Sequence, residues 1–365
     1  MMPADQRQDL AITERSERSE IVAFEKLAIL GAGAIGSSIG AYLTRAGRDI
    51  TLIDVWPAHV EAMKHAGLRV TAQDETFTVK VKAAHLADVA THREQFDTVF
   101  LSVKSYDSVW AASFIEPHLK PTGVLISAQN GINEDRVAPV VGYSRTIGCV
   151  VTIGAGLYAP GHVTRTSSPA RPSFTLGELN GMLTTRVQEL VTLLSPAGPT
   201  HATTNLWGER WAKLAVNCMA NALAGITGMN NAEMRESSEV FGVTVKIAGE
   251  ALTVAQRLGV QVEPVGGIPA QAYLDGARGV GLEDLRATWV ERGKSVGGGR
   301  PSLLQDILKG RRTEVDYLNG YVVRRGREVG VSTPMNEAIV AVTQRLEAGD
   351  LTQSPANLQL LLRHL

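Results

Sequence analysis

Cysteine is scarce in this 365-residue chain: there are two, Cys149 and Cys218. Both lie in apolar stretches and no CxxC pair exists, which excludes a disulfide framework and a zinc ribbon. They read as buried, reduced thiols of a cytoplasmic protein. Long apolar runs are lacking too, and none approaches the roughly 18 residues that a membrane span needs. The opening residues, MMPADQRQDLAITERSERSE, have no apolar centre like that of a secretory signal and read as a poorly ordered, charged extension. Nor does charge of one sign dominate. The 36 Lys and Arg nearly cancel the 37 Asp and Glu, which excludes wholesale attraction to nucleic acid or to an anionic membrane. The eight histidines are scattered and show no metal-ligand spacing.

What is present is enough apolar residue, 44% of the chain, to fill two cores at a length that one core seldom organises. KLAIL (26–30), DITLID (49–54), FDTVFLSVK (96–104) and GVLISAQNG (123–131) are short apolar runs ending in polar or glycine residues. They read as buried parallel strands separated by helical segments. LRVTA and FTVKVKAA, joined by QDE, suggest a hairpin-like excursion. RTIGCVVTIGAGL and FTLGEL add later strands. The texture changes at the turn-rich SPAGPTHATTN (195–205), after which the apolar spacing is helical. Helices are predicted over 207–228, 237–259, within 303–330, and over 334–349. The Gly-rich segment 262–302 reads as an irregular insertion. The expected architecture is α/β: an N-terminal Rossmann-like dinucleotide-binding domain (25–198) after the extension (1–24), and an all-helical C-terminal domain (199–365).

The segment Gly31-Ala32-Gly33-Ala34-Ile35-Gly36 spells G-x-G-x-x-G between a strand and a helix. Gly31 permits the tight turn, Gly33 lets a pyrophosphate approach the backbone, and Gly36 permits close helix–sheet packing. The helix N-terminus offers unpaired N–H groups to phosphate. Asp54 ends the second strand, near the ~20-residue offset at which a carboxylate accepts hydrogen bonds from the adenosine ribose. A carboxylate there repels a 2′-phosphate, so the cofactor is expected to be NAD rather than NADP. Arg48 lies at the wrong end of the strand and Lys64 some way beyond it.

Lys213, Asn217 and Asn221 recur at i, i+4 and i+8, a polar stripe on an otherwise apolar helix. Asparagine is a poor helix former, so a merely wet face would favour other residues; the stripe reads as facing a ligand. A second patch lies in RPSLLQDILKGRRTEVDYLNG. Ser302 suits a helix cap, Asp306 suits salt bridges with Arg311 and Arg312, and spacing alone does not make Glu314 catalytic.

GAGAIGS, SVKSYD, AQNG, KLAVNCMANALAGITG and SLLQDILKGRRTEVDYLNG together resemble the ketopantoate reductase (2-dehydropantoate 2-reductase) family, from about Lys26 to the C-terminus. The resemblance implies a cleft between the two domains, with Lys213 as general acid and with Glu314 binding substrate and supporting that lysine. It implies that Asn217, Asn221, Asn231 and Ser302 contact the substrate, and that Lys104 and Asn130 lie beside the cofactor. The implied reaction is reduction of a 2-oxo acid by NAD(P)H, 2-dehydropantoate to D-pantoate. The chain departs from the family at Asp54-Val55, where an arginine is usual, and at Pro301, where a serine is usual. The Gly-rich insertion before Arg300 is also longer than in the family. Asp54 and that insertion, which reshapes the cleft, point to an alternative, an NAD-dependent D-2-hydroxyacid dehydrogenase for a bulkier branched or aromatic 2-oxo acid. A non-catalytic nucleotide-binding protein is the reading from another class, and the retained Lys213, Asn217, Asn221 and Glu314 speak against it. The expected partners are a small 2-oxo acid and a second copy of the chain in a homodimer.

Overall fold

The computed structural model describes residues 24–91, 94–167, 171–294 and 301–365, with the side chains of Asn231 and Lys294 also outside the described residues. All but the last residue of the expected N-terminal extension, and residues 295–300 of the Gly-rich segment, therefore lie outside them.

Twelve strands run in chain order: β1 Lys26–Leu30, β2 Asp49–Asp54, β3 Leu68–Thr71, β4 Thr76–Val79, β5 Lys82–His85, β6 Phe96–Leu101, β7 Leu119–Ser127, β8 Thr146–Val151, β9 Ala155–Ala159, β10 His162–Arg165, β11 Phe174–Glu178 and β12 Thr200–Ala202. The main sheet has the order β12-β11-β8-β7-β6-β1-β2-β5. Pairing is parallel from β5 to β8, and β11 then runs antiparallel to β8. Residues 27–30 and every residue of β6 are buried, as strands covered on both faces by helices must be. The chain starts in the middle at β1, builds outward through β2 to β5, and returns at β6. The strand order reverses between β1 and β6, so a crevice opens at their C-terminal ends.

The hairpin-like excursion is β3 paired with β4. It belongs to something larger than the sequence suggests. β3 also pairs in parallel with β10, and β9 completes a second, four-stranded sheet. Leu68, Val70 and Val163 of this sheet share a core with Ile39, Tyr42 and Leu43 of the helix Ala34–Arg45.

The C-terminal region is helical around Leu206–Thr227, with Ser238–Arg257, Ser302–Leu308, Asn319–Val329 and Pro334–Glu347 packed about it in one apolar cluster. The Asn205 side chain accepts the Gly208 N–H at 3.1 Å and starts the central helix. Gly225 on that helix has a specific use: a Cβ there would stand 2.1 Å from Leu303 Cδ2, so its absence lets Ser302–Leu308 come close. The expectation of an irregular insertion is corrected. Ala270–Ala277 and Leu282–Lys294 are helices, and Tyr273, Leu274 and Leu285 bury into the helical core. Ala270–Ala277 is only 8 residues long and glycines adjoin both helices, so neither shows a clear period, and their apolar anchors stabilise them. Cys149 and Cys218 are free and buried, and burial pushes the Cys149 thiol up to about 12, which leaves it unreactive.

Candidate active site

The first element of the site is the turn after β1. Gly31 has φ +95°, and a Cβ on it would stand 2.8 Å from the Val103 backbone nitrogen. A Cβ on Gly36 would stand 2.2 Å from the Gly31 carbonyl oxygen, whereas one on Gly33 would meet nothing within 4 Å. Two of the glycines are thus demanded by packing, and the middle one faces open space. The helix Ala34–Arg45 begins there with no acidic residue in its first turn, so its N-terminal N–H groups are available to an anion. These residues fit the pyrophosphate of a dinucleotide. A support that sequence reasoning missed lies beneath. His59 is fully buried and accepts the Gly161 N–H on Nδ1 at 2.9 Å, which leaves the proton on Nε2 to donate to the Ala32 carbonyl at 3.0 Å. Burial lowers the pKa of His59, so the imidazole is neutral and the second sheet buttresses the loop without adding charge.

Asp54 ends β2 beside this turn, and its Oδ1 accepts the Trp56 N–H at 2.8 Å. Lys64, the next cation along the chain, is paired with Glu61 and Asp88. Arg48, before β2, is exposed.

From the loop a cleft of about 510 Å³ runs between the sheet and the helical region. Gly31, Gly33, Ala34, Ile35, Asp54, Lys104 and Asn130 line it from one side, and Lys213, Asn217, Asn221, Ser302 and Glu314 from the other. Ala32 in the turn and Gly36 in the first turn of the helix are buried behind these. The amide stripe is held to both halves. Asn217 Nδ2 donates to Asn130 Oδ1 at 3.3 Å, and Asn221 Nδ2 donates to Ser302 Oγ at 3.2 Å. Ser302 is the first residue of its helix and its side chain does not cap it. Gly225, one turn from Asn221, makes the second contact possible by admitting Leu303. Asn231 begins the helix Asn231–Glu236, but its side chain lies outside the described residues.

The two cleft lysines differ sharply. Lys104 Nζ donates to Asp306 Oδ2 at 2.6 Å and to Glu314 Oε2 at 3.0 Å. Burial works against its charge, but Glu314 and Asp306 outweigh burial and raise its pKa. Lys213 has no hydrogen-bond or ion-pair partner among the described residues, and burial alone lowers its pKa. The expected support of Lys213 by Glu314 is therefore corrected. Glu314 is committed to Lys104 and to Ser105, whose N–H and Oγ donate to its Oε1 at 2.9 and 2.8 Å. The expected Asp306 salt bridges with Arg311 and Arg312 are corrected likewise, since Asp306 serves Lys104 and Arg312 pairs with Asp316.

The sequence also concealed Arg210, which is 1% exposed. It donates to the carbonyls of Ser127 at 2.7 Å and Gln129 at 2.9 Å, and it pairs with the buried Glu134. This locks the central helix to the end of β7, immediately before Asn130. The signal was available: Arg210 extends the Lys213–Asn217–Asn221 stripe by one turn, on a helix face that has no other reason to carry charge.

The chain matches the family model described as ketopantoate reductase PanE/ApbA over residues 27–181, and the model of that family's C-terminal domain over 205–347. Among curated relatives, a 2-dehydropantoate 2-reductase of Pyrococcus abyssi is 30% identical over 325 residues, covering 88% of this chain and 98% of that protein. One of Archaeoglobus fulgidus is 28% identical over 329 residues, covering 89% and 99%. Among solved structures, a PanE/ApbA family ketopantoate reductase from Ralstonia eutropha JMP134 is 29% identical with a TM-score of 0.74, covering 89% and 99%. D-mandelate dehydrogenase with NADH and anilino(oxo)acetate is 25% identical with a TM-score of 0.77 over the same shares. No helix among the described residues is long and apolar enough to cross a membrane. With the glycine turn, the two-sided cleft and these likenesses together, the chain belongs to the ketopantoate reductase family and is an NAD(P)-dependent oxidoreductase acting on 2-oxo acids.

Proposed function

We propose that this protein uses NADH to reduce a 2-oxo acid to the D-2-hydroxy acid, with 2-dehydropantoate to D-pantoate as the first reading. The observation that carries it is Lys213 in the cleft, without an ion-pair partner among the described residues and with its pKa lowered by burial. Bound nicotinamide supplies the hydride. As the carbonyl is reduced its oxygen gathers negative charge, and an ammonium group there supplies both stabilisation and a proton. A lysine of ordinary pKa would give up that proton reluctantly; a desolvated one gives it readily. Asn217, Asn221 and Ser302 orient the substrate against Lys213. Lys104, ion-paired with two carboxylates, keeps its proton and holds the floor of the cleft.

Asp54 supports NADH, because a 2′-phosphate would meet a carboxylate and no cation follows before the ion-paired Lys64. A second reading takes a bulkier branched or aromatic 2-oxo acid. Ile153, Leu157 and Tyr158 support it: they line the cleft near Lys309, whose Nζ donates to the Leu157 carbonyl and sits 4.6 Å from the Tyr158 ring centroid. Steady-state kinetics with NADH and NADPH over 2-dehydropantoate and a panel of branched and aromatic 2-oxo acids test both. Preference for NADPH refutes the cofactor assignment. An aromatic substrate with the highest kcat/KM replaces the first reading by the second, and no turnover on any 2-oxo acid refutes both.

A further inference from the structure

The helix Ser108–Ile115 buries Ser108, Ala111, Ala112 and Ile115 against the sheet. On its outer side Trp110 is 51% exposed, a poor place for an indole unless something covers it. The ring is not loose. It stacks on Phe114 with centroids 5.8 Å apart and planes 17° apart, and Phe114 in turn lies 5.9 Å from the His118 ring. Trp110 also lines the cleft, as does Asp107 one turn before it.

The topology says which part of the cleft this is. Phosphate belongs at Gly33 and Ala34, above β1. β2 lies on one side of β1 and β6 on the other. Asp54 closes β2 opposite His85, so Val55, which is 67% exposed, and Leu86 stand next to each other at that edge. Trp110 rises from the segment after β6. Val55, Leu86 and Trp110 thus form apolar walls of the cleft on either side of the phosphate turn, at the end where Asp54 meets a ribose. A flat, apolar heterocycle attached to that ribose satisfies all three.

We propose that Trp110 is the stacking platform for the adenine ring of the dinucleotide and a determinant of cofactor affinity. Phe114 holds the indole in place, so little side-chain freedom is lost when a base covers it. The inference rests on dinucleotide binding in this cleft and not on the choice between NADH and NADPH, which share the adenine. The probe is ADP-ribose, which carries adenine, ribose and pyrophosphate without nicotinamide, titrated calorimetrically into the full chain. Loss of base–aromatic stacking predicts that Trp110→Ala binds ADP-ribose roughly tenfold more weakly. Trp110→Phe, which keeps an aromatic face, restores most of the affinity. The melting temperature of either ligand-free variant stays where it was, because the indole supports no core. Unchanged affinity in Trp110→Ala, or an equal loss in Trp110→Phe, overturns the proposal. A wild-type chain that binds neither ADP-ribose nor NADH refutes instead the reading of the cleft on which it rests.

Discussion

Replacing Arg210 by methionine removes the guanidinium that joins the helical region to the end of β7, and the structure sets the expected cost. Arg210 and Glu134 are 1% and 0% exposed, so the variant leaves a carboxylate in the interior with its cation gone. The Asn133 N–H, at 3.1 Å, still donates to Glu134 Oε2, but the Ser127 and Gln129 carbonyls lose their donors from Arg210. Breaking a buried pair from one side costs about 3–5 kcal/mol, a large part of the ~5–15 kcal/mol by which folded proteins are stable. The double variant Arg210→Met/Glu134→Leu removes both charges and leaves the two carbonyls and the Asn133 N–H to satisfy. Its deficit should therefore be smaller than that of the single variant, because no buried charge is left without a partner. Urea unfolding of the ligand-free protein, followed by tryptophan fluorescence, compares the three. A single variant that loses less than about 1 kcal/mol, or a double variant no better than the single one, refutes the view that an uncompensated buried charge dominates at this interface.

Lys213→Met should lower kcat for 2-oxo acid reduction by roughly 100-fold or more, and survival of turnover in steady-state assays refutes its role as acid. The same variant should be more stable than wild type at neutral pH. Because the folded pKa of Lys213 is depressed, the unfolded chain binds more protons between that value and the ordinary lysine value, and wild-type stability rises with pH across this window. The advantage of Lys213→Met should shrink over the same window, and an advantage that stays flat in thermal melts refutes the depressed pKa. Reductive kcat/KM should fall as pH rises through the depressed Lys213 value, since the neutral amine has no proton to give; a pH-independent limb tells against it. Asp54→Asn should weaken NADH binding several-fold and improve NADPH, read as the ratio of their KM values, and an unmoved ratio returns Asp54 to a bystander. Gly33→Ala should leave the ligand-free melting temperature intact while NADH binding collapses, whereas Gly36→Ala, with a Cβ 2.2 Å from the Gly31 oxygen, should destabilise the fold itself.

What could be read in advance was whatever depends on spacing along one element. The Lys213–Asn217–Asn221 stripe follows from helix periodicity, the glycine turn from its place between an apolar run and a helix, and the strands β1, β2, β6 and β7 from apolar runs alternating with helices. What stayed hidden depends on partners far apart in the chain. β3 meets β10 across more than 90 intervening positions, and no local pattern records that pairing. The same limit governs the two cleft lysines, which are equivalent as letters. Their partners separate them: Lys104 meets carboxylates from residues 306 and 314, while Lys213 meets none among the described residues. Opposite pKa shifts follow from that difference alone, because paired charge stabilises the ammonium and unpaired burial does not. A proton donor must be able to let go of its proton, so of the two it is Lys213 that suits the proposed role of acid. Glu314, by binding Lys104 and Ser105 instead of Lys213, is one of the residues that keep the pair unequal.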